Sequence, residues 1–320
     1  MNLVFFDIEC ASVNKTTAKI CAFGYVVCDE QFNIIKKEDV LINPKGRFHL
    51  TDRSGDKGLV LPYSYEDFKK YPPFTKVYDF IKELLEDKNN IVLGHSIMND
   101  IKYLNLETRR FKLPSFKFSF SDSQLIYMTY VNDFTRQFGL EHIAVDLGVK
   151  FTPHRAVDDA YATMRVVEAI CKAKNCGYVQ LKHTLQLKDG RISGYNVIPP
   201  SSCGESEYKR KITEIKQQRT QKRIEFFNFV SRKKIKRSGR FYGKTFTFSR
   251  NIEDATELAK NLVDAIYENG GKYSQHVSQS DYYIAEPDDN SPRTKMALNL
   301  ENLTITDVAG LEEILIGTSR

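Results

Sequence analysis

No stretch of this sequence approaches the roughly 18–20 consecutive apolar residues needed to span a bilayer, so no membrane partner is expected. The opening residues, MNLVFFDIE, have neither the basic region nor the small-residue cleavage site of a signal peptide. They read instead as a first strand. Tryptophan is missing altogether. The six cysteines, Cys10, Cys21, Cys28, Cys171, Cys176 and Cys203, form no regular framework. A chain of 320 residues can bury a core without disulfide staples, so reduced thiols in a cytoplasmic protein are expected. Cys171 and Cys176 have no second pair nearby to complete a zinc site.

The composition is that of a globular protein, 41% hydrophobic and 28% charged, and its length suggests two domains. The net charge of +6 is unevenly spread. Residues 205–240 hold 13 Lys and Arg against 4 Glu, a local balance of +9 that leaves the rest at −3. A basic segment on a mildly acidic body suggests a polyanionic partner, nucleic acid first among them.

Residues 1–175 alternate strand-like and helix-like stretches. LVFFDIE (3–9), ICAFGYVVCD (20–29), FNIIKKEDVLIN (32–43) and NIVLGH (90–95) read as strands. TKVYDFIKELLED (75–87), the stretch from Asp100 to Arg110, and the end of 151–173 read as helices. The last of these carries Ala160, Met164, Val167 and Ile170 along one face. The order implies an α/β domain with a mixed sheet. Residues 176–204, rich in Gly, Pro and Ser, read as irregular connecting chain, and 205–238 as a solvated basic helix. Residues 241–320 read as a second small α/β unit, with YSQHVSQ among its strands.

Asp7 and Glu9 are two apart on a strand, so both carboxylates share a face. Like charges held side by side are unfavourable unless a cation lies between them, and an all-oxygen site suits Mg²⁺ or Mn²⁺. Asp100 follows the strand NIVLGH within GHSIMNDIKYL, and His154 and Asp159 stand in HRAVDDAYAT. Each alone has a plain structural reading: a solvated strand end, a helix-start carboxylate, a capping histidine. Asp158, the neighbour of Asp159, is expected to face solvent or the helix N-terminus.

Together, a strand-borne D-x-E, a GH-x₄-D and an H-x₄-D resemble the DnaQ-like DEDDh 3′–5′ exonucleases over residues 1 to about 173, with SDSQLIYMTY and GLEHIAVDLGV adding to the likeness. The resemblance implies a ribonuclease H-like mixed sheet with flanking helices and release of nucleoside 5′-monophosphates from a 3′ end. It implies two cations, with Asp7 bridging them, Glu9 and Asp159 completing one site, Asp100 helping to hold the other, and His154 activating water. Two cations about 3.5–4 Å apart would stabilise both the attacking and the leaving oxygen, and a histidine has the unperturbed pKa closest to the proton-transfer task. Cys10, Ala11 and Ser12 stand where the family often has Thr or Ser after the first Glu, and Ser96 where Asn is frequent. DNA is the expected substrate; RNA trimming by the same chemistry, and a non-catalytic adaptor, are the alternatives.

Residues 241–318 resemble a BRCT domain through KTFTFS, a long helix closing on Gly270-Gly271, YYIAEP and the Lys295–Ala297 segment. The family's usual Trp is absent, with Val308 or Leu311 as its replacement. Ser249 and Lys295 stand where some such domains bind phosphate, although Arg250 replaces a common Gly. The alternatives are a docking or dimerising module, or a DNA-end contact. In the segment KRIEFFNFVSRKKIKR, Lys222, Arg223, Arg232, Lys233 and Lys234 could neutralise phosphates. Phe226, Phe227 and Phe229 could stack on bases or pack on a domain.

Overall fold

The computed structural model describes residues 1–46, 63–150 and 155–316. His154 therefore lies outside the described residues. Two compact units divide the chain, Met1–Lys209 and Arg210–Arg320.

The first unit is built from β1 (Asn2–Val13), β2 (Ala18–Cys28), β3 (Ile34–Leu41), α1 (Tyr65–Phe68), α2 (Phe74–Glu86), β4 (Asn90–Gly94), α3 (Met98–Arg110), β5 (Phe118–Asp122), α4 (Ser123–Val131), α5 (Leu140–Asp146), α6 (Ala156–Ala173), α7 (Tyr178–Thr184), β6 (Leu187–Lys188), β7 (Gly190–Ser193), β8 (Asn196–Ile198), β9 (Ser201–Ser202) and the start of α8 (Cys203–Arg232). Its main sheet runs β3-β2-β1-β4-β5-β7-β8. β1, β4 and β5 are mutually parallel, and β2, β3, β7 and β8 are added in antiparallel pairing. The mixed α/β sheet expected from the sequence is present.

The alternation of β1 decides what each face receives. Leu3 and Phe5 pack with Ala160, Met164, Val167 and Ile170 of α6. Val4, Phe6 and Ile8 pack with α2 and α3 through residues such as Ile81, Ile101 and Leu104. Asp7 and Glu9 continue the α6 face beyond the apolar part, where the strand reaches the edge of the core. The register with β2 slips on both sides of Cys10, an irregularity of the kind that re-aims side chains beside sites.

Residues 176–204 are not irregular connecting chain. They form α7, the β7–β8 hairpin that extends the main sheet, and a two-strand pair of β6 with β9. The glycines that suggested a loop are used inside the hairpin. A Cβ at Gly190 would lie 2.5 Å from the Phe120 ring, so only glycine lets β7 close onto β5. Gly194 and Tyr195 have φ of +58° and +67°, the sense that a two-residue hairpin turn requires.

The second unit holds the rest of α8, then β10 (Thr245–Phe248), α9 (Arg250–Asp254), α10 (Thr256–Glu268), β11 (Lys272–Tyr273), β12 (Tyr282–Ile284), α11 (Pro292–Leu298), β13 (Thr304–Thr306) and α12 (Val308–Ile316). Its sheet is parallel throughout, in the order β11-β10-β12-β13. The strand expected over YSQHVSQ shrinks to β11 followed by a 3₁₀ turn at Val277–Gln279. Its polar side chains bond locally instead: the His276 N–H donates to Ser274 Oγ, and Ser280 Oγ donates to the His276 carbonyl. Leu311 is fully buried in this core, and Val308 packs partly buried against it.

Candidate active site

β1 delivers Asp7 and Glu9, and α6 lies across the same face to deliver Asp159. One carboxylate oxygen from each of the three lies within 4.8 Å of the others. Burial holds Asp7 well above the usual carboxylate range, and the charges of Asp100, Glu9, Asp159 and Asp39 push it further. Burial likewise pushes Glu9 up to about 7, helped by Asp159 and Asp39. Burial first, and mutual repulsion second, disfavour the ionised forms of these carboxylates, a cost that a cation between them would offset. The all-oxygen donor set fits a hard divalent ion.

Asp100 arrives from the other side. α3 starts four residues after β4 ends and places Asp100 in its first turn, almost fully buried. Its Oδ1 accepts the backbone N–H of Ile8 at 3.1 Å, between Asp7 and Glu9 in sequence. Burial raises its pKa well above the ordinary value, while that N–H opposes the rise. Asp100 is thus fixed beside the three-residue cluster, within reach of Asp7's charge.

Asp158 belongs elsewhere. Its carboxylate pairs with Lys37 at 3.2 Å and Arg155 at 3.7 Å.

Several residues that shape the site were not singled out in the sequence. Asp122 caps α4 by accepting from the Gln124 N–H at 2.9 Å, and the same oxygen accepts from Ser96 N–H at 3.0 Å. It thereby ties the turn before α3 to the end of β5. Tyr103, one turn after Asp100, has its hydroxyl pushed up to about 12 by burial, then by Cys10, Asp100, Glu9 and Asp7. Asp39 on β3 is half-buried beside the cluster, accepting from Tyr63 Oη at 3.0 Å. The SDS stretch flagged Asp122 only as part of a resemblance; for Asp39 and Tyr103 no local sequence signal exists.

The cationic residues of α8 differ from one another. Arg223 donates to Asp254 at 3.0 Å and Lys233 pairs with Asp264. Lys222, Arg232 and Lys234 are exposed, with no ion pair among the described residues. Phe226 is fully buried in the second unit's core, with Phe227 and Phe229 packed against it. For Phe226 the base-stacking reading gives way to packing, because an aromatic buried that deeply has no face left to offer; Phe227 and Phe229 are only half-buried.

Ser249, at the end of β10, is fully buried and caps α9, accepting from the Ile252 N–H at 3.3 Å. Lys295 is exposed on α11. Nearby, Arg250 and Arg293 each donate at 2.6 Å to the fully buried Glu253, so both guanidinium groups are already engaged by a carboxylate.

A protein family described as exonuclease (RNase_T) matches residues 4–167. No curated protein matches the sequence. Among solved structures, the chain is similar to a 3′-exonuclease in 3′-end-specific recognition of a histone mRNA stem-loop. The identity is 12%, with 63% of this chain and 91% of that one covered at a TM-score of 0.50. It is also similar to the nuclease domain of 3′hExo, a DEDDh family member bound to rAMP (18%, 55% and 93% covered, TM-score 0.46). A third is E. coli exonuclease I with a dT13 oligonucleotide (15%, 54% and 42% covered, TM-score 0.41). At such identities the likeness concerns the fold alone. No described helix is long and apolar enough to cross a membrane.

Proposed function

This chain belongs to the exonuclease (RNase_T) family, and from that premise we propose that it is a DEDDh-type 3′–5′ exonuclease that needs two divalent cations, Mg²⁺ or Mn²⁺, and releases nucleoside 5′-monophosphates, with DNA as substrate. The observation that carries the reading is the convergence of Asp7, Glu9 and Asp159 within 4.8 Å, inside the matched stretch and next to the buried Asp100.

Asp7, Glu9, Asp100 and Asp159 would hold the ions. When bound, these would supply positive charge against the transition state of phosphodiester hydrolysis. The chain's own part is orientation and proton movement. β1 holds Asp7 and Glu9 on one face, the Ile8 N–H fixes Asp100, and α6 brings Asp159 over the strand. His154, one residue before Arg155, would take the proton of the attacking water.

We read residues 241–320 as a BRCT-like docking module. The parallel four-stranded order β11-β10-β12-β13, with helices between strands, supports this. Phosphate capture by Ser249 and Lys295 is the weaker reading of that module, since Ser249 is buried in a cap.

The test is cleavage of 3′-labelled and 5′-labelled single-stranded DNA and RNA by wild type and Asp7→Ala, with Mg²⁺, Mn²⁺ or chelator. Stepwise 3′ shortening that needs metal and vanishes in Asp7→Ala is expected, with DNA preferred. Preference for RNA would select the ribonuclease alternative. Binding without cleavage of either polymer would select the adaptor.

A further inference from the structure

Three residues on neighbouring strands form one row on the α6 face: Asp7 pairs with Gly24 on β2, and Gly24 pairs with Asp39 on β3. Directly paired antiparallel residues project to the same side, so the row reads carboxylate, gap, carboxylate. The two carboxylate-bearing positions stand about 10 Å apart, two strand spacings.

The first turn of α6 fills the gap. A Cβ at Gly24 would lie 2.0 Å from both the Ala156 carbonyl carbon and the Val157 nitrogen. These are backbone atoms that no side-chain rotation can clear. On the far side, Asp39 accepts from Tyr63 Oη at 3.0 Å and meets Arg155 at 3.6 Å. Arg155 is the N-cap residue of α6. On the near side, Asp159 reaches Asp7 and Glu9. Asp39 Oδ1 is buried with no hydrogen-bond partner among the described residues.

We propose that Gly24, Asp39 and Arg155 are positioning residues: they form a seat that sets the height of α6 above β1, and with it the placement of Asp159 in the cation site. The inference rests on the metal-site reading above. Gly24 lets the helix touch the sheet. The Asp39–Arg155 pair holds the helix end down two strands away from the carboxylates it serves. Neither Asp39 nor Arg155 belongs to the three-carboxylate cluster.

Charge alone and positioning predict opposite signs for one variant. Arg155→Gln removes a positive charge near the cluster, so pure electrostatics would tighten cation binding. Loss of the seat would weaken it. Arg155 is 44% exposed, so folding of this variant is not at risk.

The experiment is Mn²⁺ titration of the full chain, followed by electron paramagnetic resonance, for wild type, Arg155→Gln, Asp39→Asn and Gly24→Ala, with thermal midpoints alongside. Arg155→Gln is expected to bind Mn²⁺ about tenfold more weakly at an unchanged midpoint, and Asp39→Asn similarly, the size usual for loss of a group that orients a ligand. Gly24→Ala is expected to weaken binding further and to lower the midpoint. Equal or tighter Mn²⁺ binding by Arg155→Gln, with wild type binding normally, overturns the seat and leaves the nuclease reading standing. A wild type that binds no Mn²⁺ overturns both.

Discussion

Asp100 Oδ1 accepts the Ile8 N–H at 3.1 Å, so a carboxylate carried by α3 is fixed to the strand residue that separates Asp7 from Glu9. One hydrogen bond joins two elements that are 92 residues apart in sequence. Asp100→Asn keeps an oxygen able to accept this N–H while removing a buried carboxyl whose ionised form burial disfavours. Activity with Mg²⁺ is expected to fall by about 10²–10³-fold. Stability without metal should hold or rise by roughly 1 kcal/mol. Steady-state cleavage rates and urea melts in chelator check both; a variant that keeps full activity would remove Asp100 from the machinery.

Stability in chelator should decline as pH rises from about 5 to 8, and the sign follows from two glutamates. Burial pushes Glu107 up to about 7 despite Arg110 at 3.0 Å, and Glu9 also sits at about 7. A carboxylate raised in the folded state contributes stability below its unfolded value of about 4.5, lost as pH climbs through the folded value. Thermal midpoints across that window should therefore fall for wild type. Glu107→Gln and Glu9→Gln should each flatten the slope. Saturating Mg²⁺ should reduce the Glu9 share, because the ion favours the ionised form. A flat wild-type profile would contradict the burial of both groups.

Phe226 should matter to folding of the second unit and not to chemistry. Phe226→Ala empties a fully buried site between Phe248 and Tyr273, at a cost of about 3–5 kcal/mol. Cleavage of a short oligonucleotide at a temperature where the first unit is folded should be unchanged. Loss of that activity without loss of the second unit's structure would restore a base-contacting role for the ring.

Lys222, Arg232 and Lys234 are exposed without an ion pair among the described residues, whereas Arg223 and Lys233 face Asp254 and Asp264. Replacing the first three by Ala should weaken binding to long single strands. Removing each cation that neutralises a phosphate should lower the salt slope by about 0.7–0.9. Arg223→Ala should act mainly on stability. Filter-binding isotherms over a salt series decide; equal effects from both groups would mean the ion pairs do not hold Arg223 back.

The unit boundary places a truncation after Lys209. The Glu205 N–H bonds to Ser202 Oγ, and Ser206 Oγ bonds to the Ser202 carbonyl. Residues 1–209 should stay folded and trim short oligonucleotides. Ending the chain at 185 should unfold it, because that strips β7 and the buried Ile192 from the edge of β5. Circular dichroism melts of the two fragments distinguish these cases.

The sequence by itself determined that two carboxylates share one face of β1. A D-x-E on an apolar strand puts two carboxylates on one face whatever the rest of the fold does, because strand side chains alternate. The helical spacing of Ala160, Met164, Val167 and Ile170 likewise fixes which face of α6 is buried, and so where Asp159 points. What only the tertiary structure decided is register and closeness. Which residues pair across β1, β2 and β3 depends on bulges and long-range packing, so the Asp7–Gly24–Asp39 row has no local signature. The hairpin at 190–198 was hidden for the same reason: its glycines look like loop glycines until Phe120 is found pressed against Gly190. Phe226 read equally well as a stacking ring or a packed one, and only the core around it removed the choice. Local periodicity is written in the order of residues, whereas the meeting of distant elements emerges only when the chain has closed on itself.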